Sequence, residues 1–98
     1  MDVDFADENL DRLETDLQFD GGFDKAIVKG FRKVMQLIRA APDERDFYAL
    51  KSLHFEKLEG ARSHQRSMRL TKKWRLIVEL SGDAPLKVVK VMSIEDYH

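Results

Sequence analysis

The chain contains no cysteine among its 98 residues. Disulfide bridges, thiol nucleophiles and cysteine-ligated zinc sites are therefore excluded. Histidine is also scarce, and His54, His64 and His98 match none of the common metal-binding spacings. We accordingly predict no metal ion and no cofactor. A glycine-rich phosphate loop and a Gly-x-Ser-x-Gly nucleophile turn are missing as well, which excludes two common enzyme classes.

The chain also lacks long apolar runs. No run approaches the roughly 18 residues that a membrane-spanning helix needs. The amino terminus, Met1 to Asp4, is acidic and does not have the apolar stretch of a signal peptide. We therefore expect a cytoplasmic protein that does not enter a membrane. Apolar residues make up 43% of the chain, which suffices for one domain over residues 1–98 with a single modest core.

Charge is present in quantity but unevenly distributed. Residues 1–24 hold nine acidic residues and one basic residue, net −8, whereas residues 25–98 are net +7. The densest basic stretch, from Lys57 to Arg75, has seven basic residues and only Glu59 against them. Such density favours binding to a polyanion such as RNA. A solvated strand face is the structural alternative for the same charges.

Apolar periodicity predicts two helices in the first half of the chain. Asp7 is placed to cap the first, whose apolar positions are Leu10, Leu13 and Leu17. Asp24 caps the second, which Pro42 ends. Gly30 falls inside that second helix, where it costs stability and predicts the close approach of another element.

After residue 53 the period changes to that of strands. Residues 65–70, 74–80 and 86–92 read as three strands, and Val3 to Phe5 as a very short first one. Helices followed by an antiparallel meander predict an α+β domain with the helices packed on one face of the sheet.

The chain closes on Asp96, Tyr97 and His98, a carboxylate, a phenol and an imidazole. Together with His54 and the basic stretch, these groups suit metal-independent cleavage of RNA. That reaction needs a base for the ribose 2′-hydroxyl, cations for the phosphate and an acid for the leaving oxygen. The structural alternatives are that Tyr97 anchors the tail and that His54 packs against a neighbouring aromatic ring.

Four segments resemble the HigB toxins of the RelE/ParE toxin–antitoxin superfamily. Those toxins typically carry Leu-Lys-Gly, Asn-Trp-Arg and a final Glu-Asp-Tyr-His. The four segments that carry the resemblance here are Leu53–Gly60, Arg66–Leu70, Lys73–Leu76 and Glu95–His98. The resemblance implies a microbial-ribonuclease-like fold, with two amino-terminal helices packed on a curved antiparallel sheet. It also implies ribosome-dependent cleavage of mRNA and a HigA-like helix-turn-helix antitoxin, through which alone the protein would reach operator DNA.

The resemblance further implies roles for individual residues. His54, Asp96, Tyr97 and His98 would form the catalytic group. Six basic side chains would contact phosphate or RNA, and these are Lys57, Arg62, Arg66, Arg69, Lys73 and Arg75.

Two other functions stay open at this point. A sibling branch of the superfamily poisons DNA gyrase and cuts no RNA, and the terminal Asp-Tyr-His argues against that branch. A non-catalytic homologue that only binds an antitoxin and co-represses its operon is the other. Glu59, which replaces the lysine of Leu-Lys-Gly, and Glu56 somewhat favour this last possibility.

Overall fold

The computed structural model describes residues 1–96, and Tyr97 and His98 lie outside the described residues. Three helices and five strands form along this part of the chain, and two short 3-10 turns, at Lys51–Leu53 and Gly60–Arg62, flank β2. In chain order the elements are β1 (Asp2–Phe5), α1 (Glu8–Thr15), α2 (Lys25–Ala40), α3 (Arg45–Ala49), β2 (Glu56–Lys57), β3 (Gln65–Arg69), β4 (Trp74–Ser81) and β5 (Val88–Asp96).

The two predicted helices form where their caps indicate. The Asp7 carboxylate accepts a hydrogen bond from the Asn9 amide at 2.8 Å, so the predicted cap of α1 is confirmed. Helix α2 begins directly after Asp24, as predicted, although the Asp24 side chain makes no capping hydrogen bond, and it ends two residues before Pro42. Helix α1 is shorter than the apolar pattern indicates, because Asp16 adopts an extended backbone and closes it. Leu17 therefore falls outside the helix and is 74% exposed.

The sheet has the strand order β1-β5-β4-β3-β2. Strands β3, β4 and β5 pair antiparallel in chain order, as the meander predicts. Strand β2, which the sequence does not predict, adds antiparallel to β3. The α+β class is thus confirmed. The sheet is nevertheless mixed, because β1 runs parallel to β5 with Val3 opposite Val89. Helices α1 and α2 lie between these two strands in sequence, which is the kind of crossover that parallel pairing requires.

One face of the sheet packs on the helices and forms the core. The buried side chains of this core include Leu10 and Leu13 of α1, Phe31, Met35 and Ile38 of α2, and Met68, Leu76, Val78, Val89 and Val91 of the sheet. Within residues 1–96, no helix is both long enough and apolar enough to cross a membrane.

Gly30 lies where α2 crosses the end of β3. A Cβ atom built on it would stand 2.5 Å from the carbonyl oxygen of Leu70. That distance is well inside van der Waals contact, so the close approach predicted for this glycine is confirmed.

We expect Gly30→Ala to destabilise the protein by about 1–3 kcal/mol, the usual cost of overpacking. Intrinsic helix propensity favours alanine by about 1 kcal/mol, so a loss of stability would isolate the backbone clash. Urea unfolding of Gly30→Ala, with the exposed neighbour variant Lys29→Ala as control, measures the effect. A Gly30→Ala protein as stable as the wild type would contradict it.

An irregularity in β5 decides which way the end of the chain faces. Ile77 lies opposite Ser93 and the next residue, Val78, opposite Val91, so Met92 is one extra residue on β5. Such a bulge inverts the alternation of side chains beyond it. Val91 and Ile94 consequently both face the helices, while Ser93 and Glu95 project from the opposite side, hereafter the outer face.

Candidate active site

Three candidate side chains and one further carboxylate, that of Glu95, fall in one row across the sheet. Arg69 lies opposite Arg75, and Arg75 lies opposite Glu95 on its other side. The pairing of β2 with β3, continued two residues towards the amino terminus, brings His54 opposite Arg69. The His54 ring confirms this placement, since its Nε2 lies 3.2 Å from Nη1 of Arg69. The structure thus brings together an imidazole, two guanidinium groups and a carboxylate.

His54 occupies a strained backbone conformation. Its φ of 46° is in the left-handed region, and no other non-glycine residue among residues 1–96 has a positive φ. Such a residue persists only where its surroundings hold it, and these residues cluster at functional sites. Here the Arg75 guanidinium donates a hydrogen bond of 3.0 Å to the His54 carbonyl oxygen. Arg75 is only 7% exposed and therefore acts as a rigid support for the histidine.

The contact between His54 and Arg69 gives the two groups complementary roles. A guanidinium group can only donate hydrogen bonds, so Nε2 of His54 is the acceptor in this contact. His54 is itself exposed, so this arrangement presents a basic nitrogen at the protein surface beside a cation.

The pairing of Arg69 with Arg75 favours an anion at this place. Like charges directly opposite one another on neighbouring strands are destabilising. A phosphate bound between two guanidinium groups would relieve that repulsion through charge-assisted hydrogen bonds. Arg69 presents the accessible guanidinium group of the two, since it is half-buried whereas Arg75 is only 7% exposed.

Glu95 is held by Arg62 through a bidentate ion pair. The Arg62 guanidinium donates to the two carboxylate oxygens at 2.9 and 2.7 Å, and the Ser93 hydroxyl donates to one of them at 2.7 Å. Arg62 also donates to Gln65 at 2.9 Å. The Arg62 hydrogen bonds lower the pKa of the Glu95 carboxyl below its ordinary 4.5. Arg62, expected to contact RNA, is thus engaged within the chain.

This ion pair should make the free energy of unfolding depend on pH in the acidic range. A carboxyl group whose pKa is lowered on folding stabilises the protein above its unfolded pKa, and the benefit disappears as the pH falls through the folded value. We expect Glu95→Gln to cost at most about 1 kcal/mol at pH 7, since the pair is partly exposed. The difference from wild type should stay constant above about pH 5 and shrink below it. Denaturation at several pH values tests this, and a constant difference down to pH 3 would contradict it.

The remaining basic candidates are spread along β3. Arg66 donates hydrogen bonds to the carbonyl oxygens of Ser63 and Gln65 at 3.0 and 3.2 Å. Lys57 is exposed on β2 opposite Arg66, whereas Lys73 is exposed in the turn beyond the other end of β3. The structure therefore does not gather these three side chains with the row.

Of the three catalytic candidates in the tail, the structure describes only Asp96. Asp96 lies opposite Trp74, whose ring meets Phe23 of the helical layer edge-on at 6.3 Å. Strand alternation accordingly places Asp96 on the side of the helices, and Glu95 on the outer face. The proposed contributions of Tyr97 and His98 fall outside the described residues.

Sequence reasoning did not select Glu95 as a site residue. It stands in the terminal Glu-Asp-Tyr-His motif, and that motif was the available signal. Its position on the outer face depends on the bulge at Met92. The signal for that bulge is a change of phase, since Val89 and Val91 are apolar at odd positions and Met92 and Ile94 at even ones.

Comparison with solved structures identifies the fold. A YoeB/ParE toxin from Agrobacterium tumefaciens aligns over the whole of both chains, with a TM-score of 0.60 and 16% identity. The YoeB–YefM complex from Staphylococcus aureus aligns over 100% of this chain and 97% of that one, with a TM-score of 0.60 and 17% identity. The chain has the RelE/ParE-like toxin fold.

YafQ from Escherichia coli strain BL21(DE3) aligns over 97% of this chain and 91% of its own, with a TM-score of 0.60 and 13% identity. No protein-family model and no curated protein sequence matches the chain. The resemblance to the RelE/ParE superfamily is thus confirmed as one of fold, and the narrower resemblance to HigB toxins stays a prediction.

Proposed function

We propose that the chain is the toxin of a type II toxin–antitoxin system and cleaves mRNA on the ribosome. The observation that carries this proposal is the row in which His54, Arg69 and Arg75 come together. It combines an imidazole, held in a strained backbone, with two guanidinium groups on adjacent strands. The fold shared with a YoeB/ParE toxin supports the same assignment.

The row supplies a route for cleavage by acid–base chemistry. A phosphate that binds Arg69 and Arg75 draws Arg69 away from Nε2 of His54, and this nitrogen then takes the proton of the ribose 2′-hydroxyl. The 2′-oxygen attacks phosphorus, the bond to the 5′-oxygen breaks, and a 2′,3′-cyclic phosphate forms. The guanidinium groups stabilise the charge that develops on the phosphate oxygens. The reaction uses no metal ion.

The tail would supply the other half of the reaction. In this proposal His98 donates a proton to the leaving 5′-oxygen, Tyr97 stacks on a base and Asp96 orients the imidazole. Lys57 and Lys73, both exposed, would contact the RNA backbone or ribosomal RNA on either side of the row.

A helix-turn-helix antitoxin, HigA-like, would be the neutralising partner, and operator DNA would be contacted only through it. The structural neighbour from Staphylococcus aureus is a complex of YoeB with YefM, which supports a protein partner for this fold. The toxin would act in the cytoplasm, where ribosomes and mRNA are found.

Expression of the chain without an antitoxin gene tests the function. We expect growth arrest, with mRNA cut at codons that the ribosome protects. Arrest with relaxed DNA and intact mRNA would instead identify a gyrase poison. No arrest, with tight binding to an antitoxin, would identify a non-catalytic homologue.

A further inference from the structure

A cavity of about 370 Å³ lies between α2 and the segment that carries His54. It reaches the end of β3 and is lined by His54 and Arg69, so it adjoins the row of the candidate site. Its volume is within the range of about 300–1,000 Å³ typical of small-molecule pockets.

The polar part of this cavity is cationic. Its polar lining residues are Lys33 of α2, Arg69 of β3, His54 and the hydroxyl-bearing Ser52. Among the described residues that line the cavity, none is acidic. Lysine and arginine offer only donors, and together with a hydroxyl they form a set that recognises a phosphate group.

The rest of the lining is apolar. Leu37 of α2, Leu53 and Leu70 contribute hydrocarbon surface next to the cationic side. An inorganic phosphate would leave that surface exposed to water, whereas a phosphate attached to a nucleoside would cover it. Burial of apolar area on binding is favourable, so a nucleoside monophosphate should bind this cavity more tightly than inorganic phosphate.

We propose that this cavity is a subsite for one nucleoside monophosphate unit of the RNA strand, next to the bond that is cut. Lys33 and Arg69 hold the phosphate, and the apolar wall holds the nucleoside. That this unit belongs to an RNA strand, and is not a free nucleotide, rests on the proposed function. Occupancy would also act on catalysis, because Arg69 contacts both the cavity and Nε2 of His54.

Titration of the full chain with adenosine 3′-monophosphate, adenosine and inorganic phosphate, followed by backbone amide shifts and calorimetry, tests the subsite. We expect the nucleotide to bind at least tenfold more tightly than adenosine or phosphate, with shifts at Ser52 and Leu70. Lys33→Ala should weaken nucleotide binding at least tenfold. Lys29→Ala, one helical turn earlier and outside the cavity lining, should change it less than twofold. Both lysines are exposed helix residues, so neither variant should unfold.

Two results would overturn the subsite. One is phosphate binding as tight as nucleotide binding, and the other is an equal effect of Lys33→Ala and Lys29→Ala. Failure of the proposed function is a separate outcome. A chain that cleaves no mRNA yet binds nucleotide through Lys33 keeps the subsite, whereas a chain that cleaves mRNA without such binding loses the subsite alone.

Discussion

Replacing His54 with asparagine should lower the rate of mRNA cleavage at least about 100-fold and leave the protein folded. General acid–base groups contribute about 10²–10⁴ to a rate, and asparagine offers no basic nitrogen. Asparagine is among the residues that tolerate the left-handed conformation observed at His54, so the backbone is preserved. The measurement is cleavage of a programmed mRNA on purified ribosomes, with the free energy of unfolding determined in parallel.

His64→Asn is the matched control for this experiment. His64 is exposed, and its Nε2 lies 3.6 Å from the Glu79 carboxylate, at the end of β3 away from Arg69. We expect its cleavage rate to stay within twofold of wild type. An active His54→Asn protein, or an equal loss in the two variants, would show that His54 is not the base.

Arg75→Ala should have the second large effect, on both stability and activity. The Arg75 guanidinium is buried and hydrogen-bonded to the His54 carbonyl, and loss of buried hydrogen bonds from a charged group costs about 2–4 kcal/mol. Release of the His54 backbone should also lower cleavage at least about 100-fold, even at temperatures where circular dichroism shows a folded protein.

Arg12→Ala is the control for removal of an arginine. The Arg12 side chain is 60% exposed and pairs at 3.2 Å with Asp16, the residue that ends α1, far in sequence from the row. Its loss should cost at most about 1 kcal/mol and leave cleavage unchanged. A folded Arg75→Ala protein that cleaves like the Arg12→Ala control would contradict the supporting role of Arg75.

Local signals carried most of what the sequence could predict. The cap at Asp7, the break at Pro42 and the close approach at Gly30 depend on a few neighbouring residues or on one backbone property. The antiparallel strands are joined by short turns, so their pairing follows from order along the chain. The parallel pair of β1 with β5 joins residues that are far apart in sequence, and nothing in Val3 to Phe5 specifies that partner.

The site was predictable in its residue types but not in its contacts. The basic stretch and His54 are visible in the sequence, and the row across the sheet contains three of them. The ion pair of Arg62 with Glu95 could not be predicted, because the two residues are 33 positions apart and only the fold brings their side chains together. Nothing in the sequence points to Lys33 and Ser52, which line the cavity, since a lysine on an exposed helix face and a serine in a turn have no distinguishing pattern.

The extra residue Met92 gives this part of β5 a tolerance to shortening that a regular strand lacks. Deletion of Met92 would remove the bulge and leave Ser93 opposite Ile77 and Glu95 opposite Arg75, so both faces of the strand would be kept. We therefore expect a protein without Met92 to retain the ion pair of Glu95 with Arg62. Loss of a second residue from the same segment would exchange the two faces and take Ile94 out of the core.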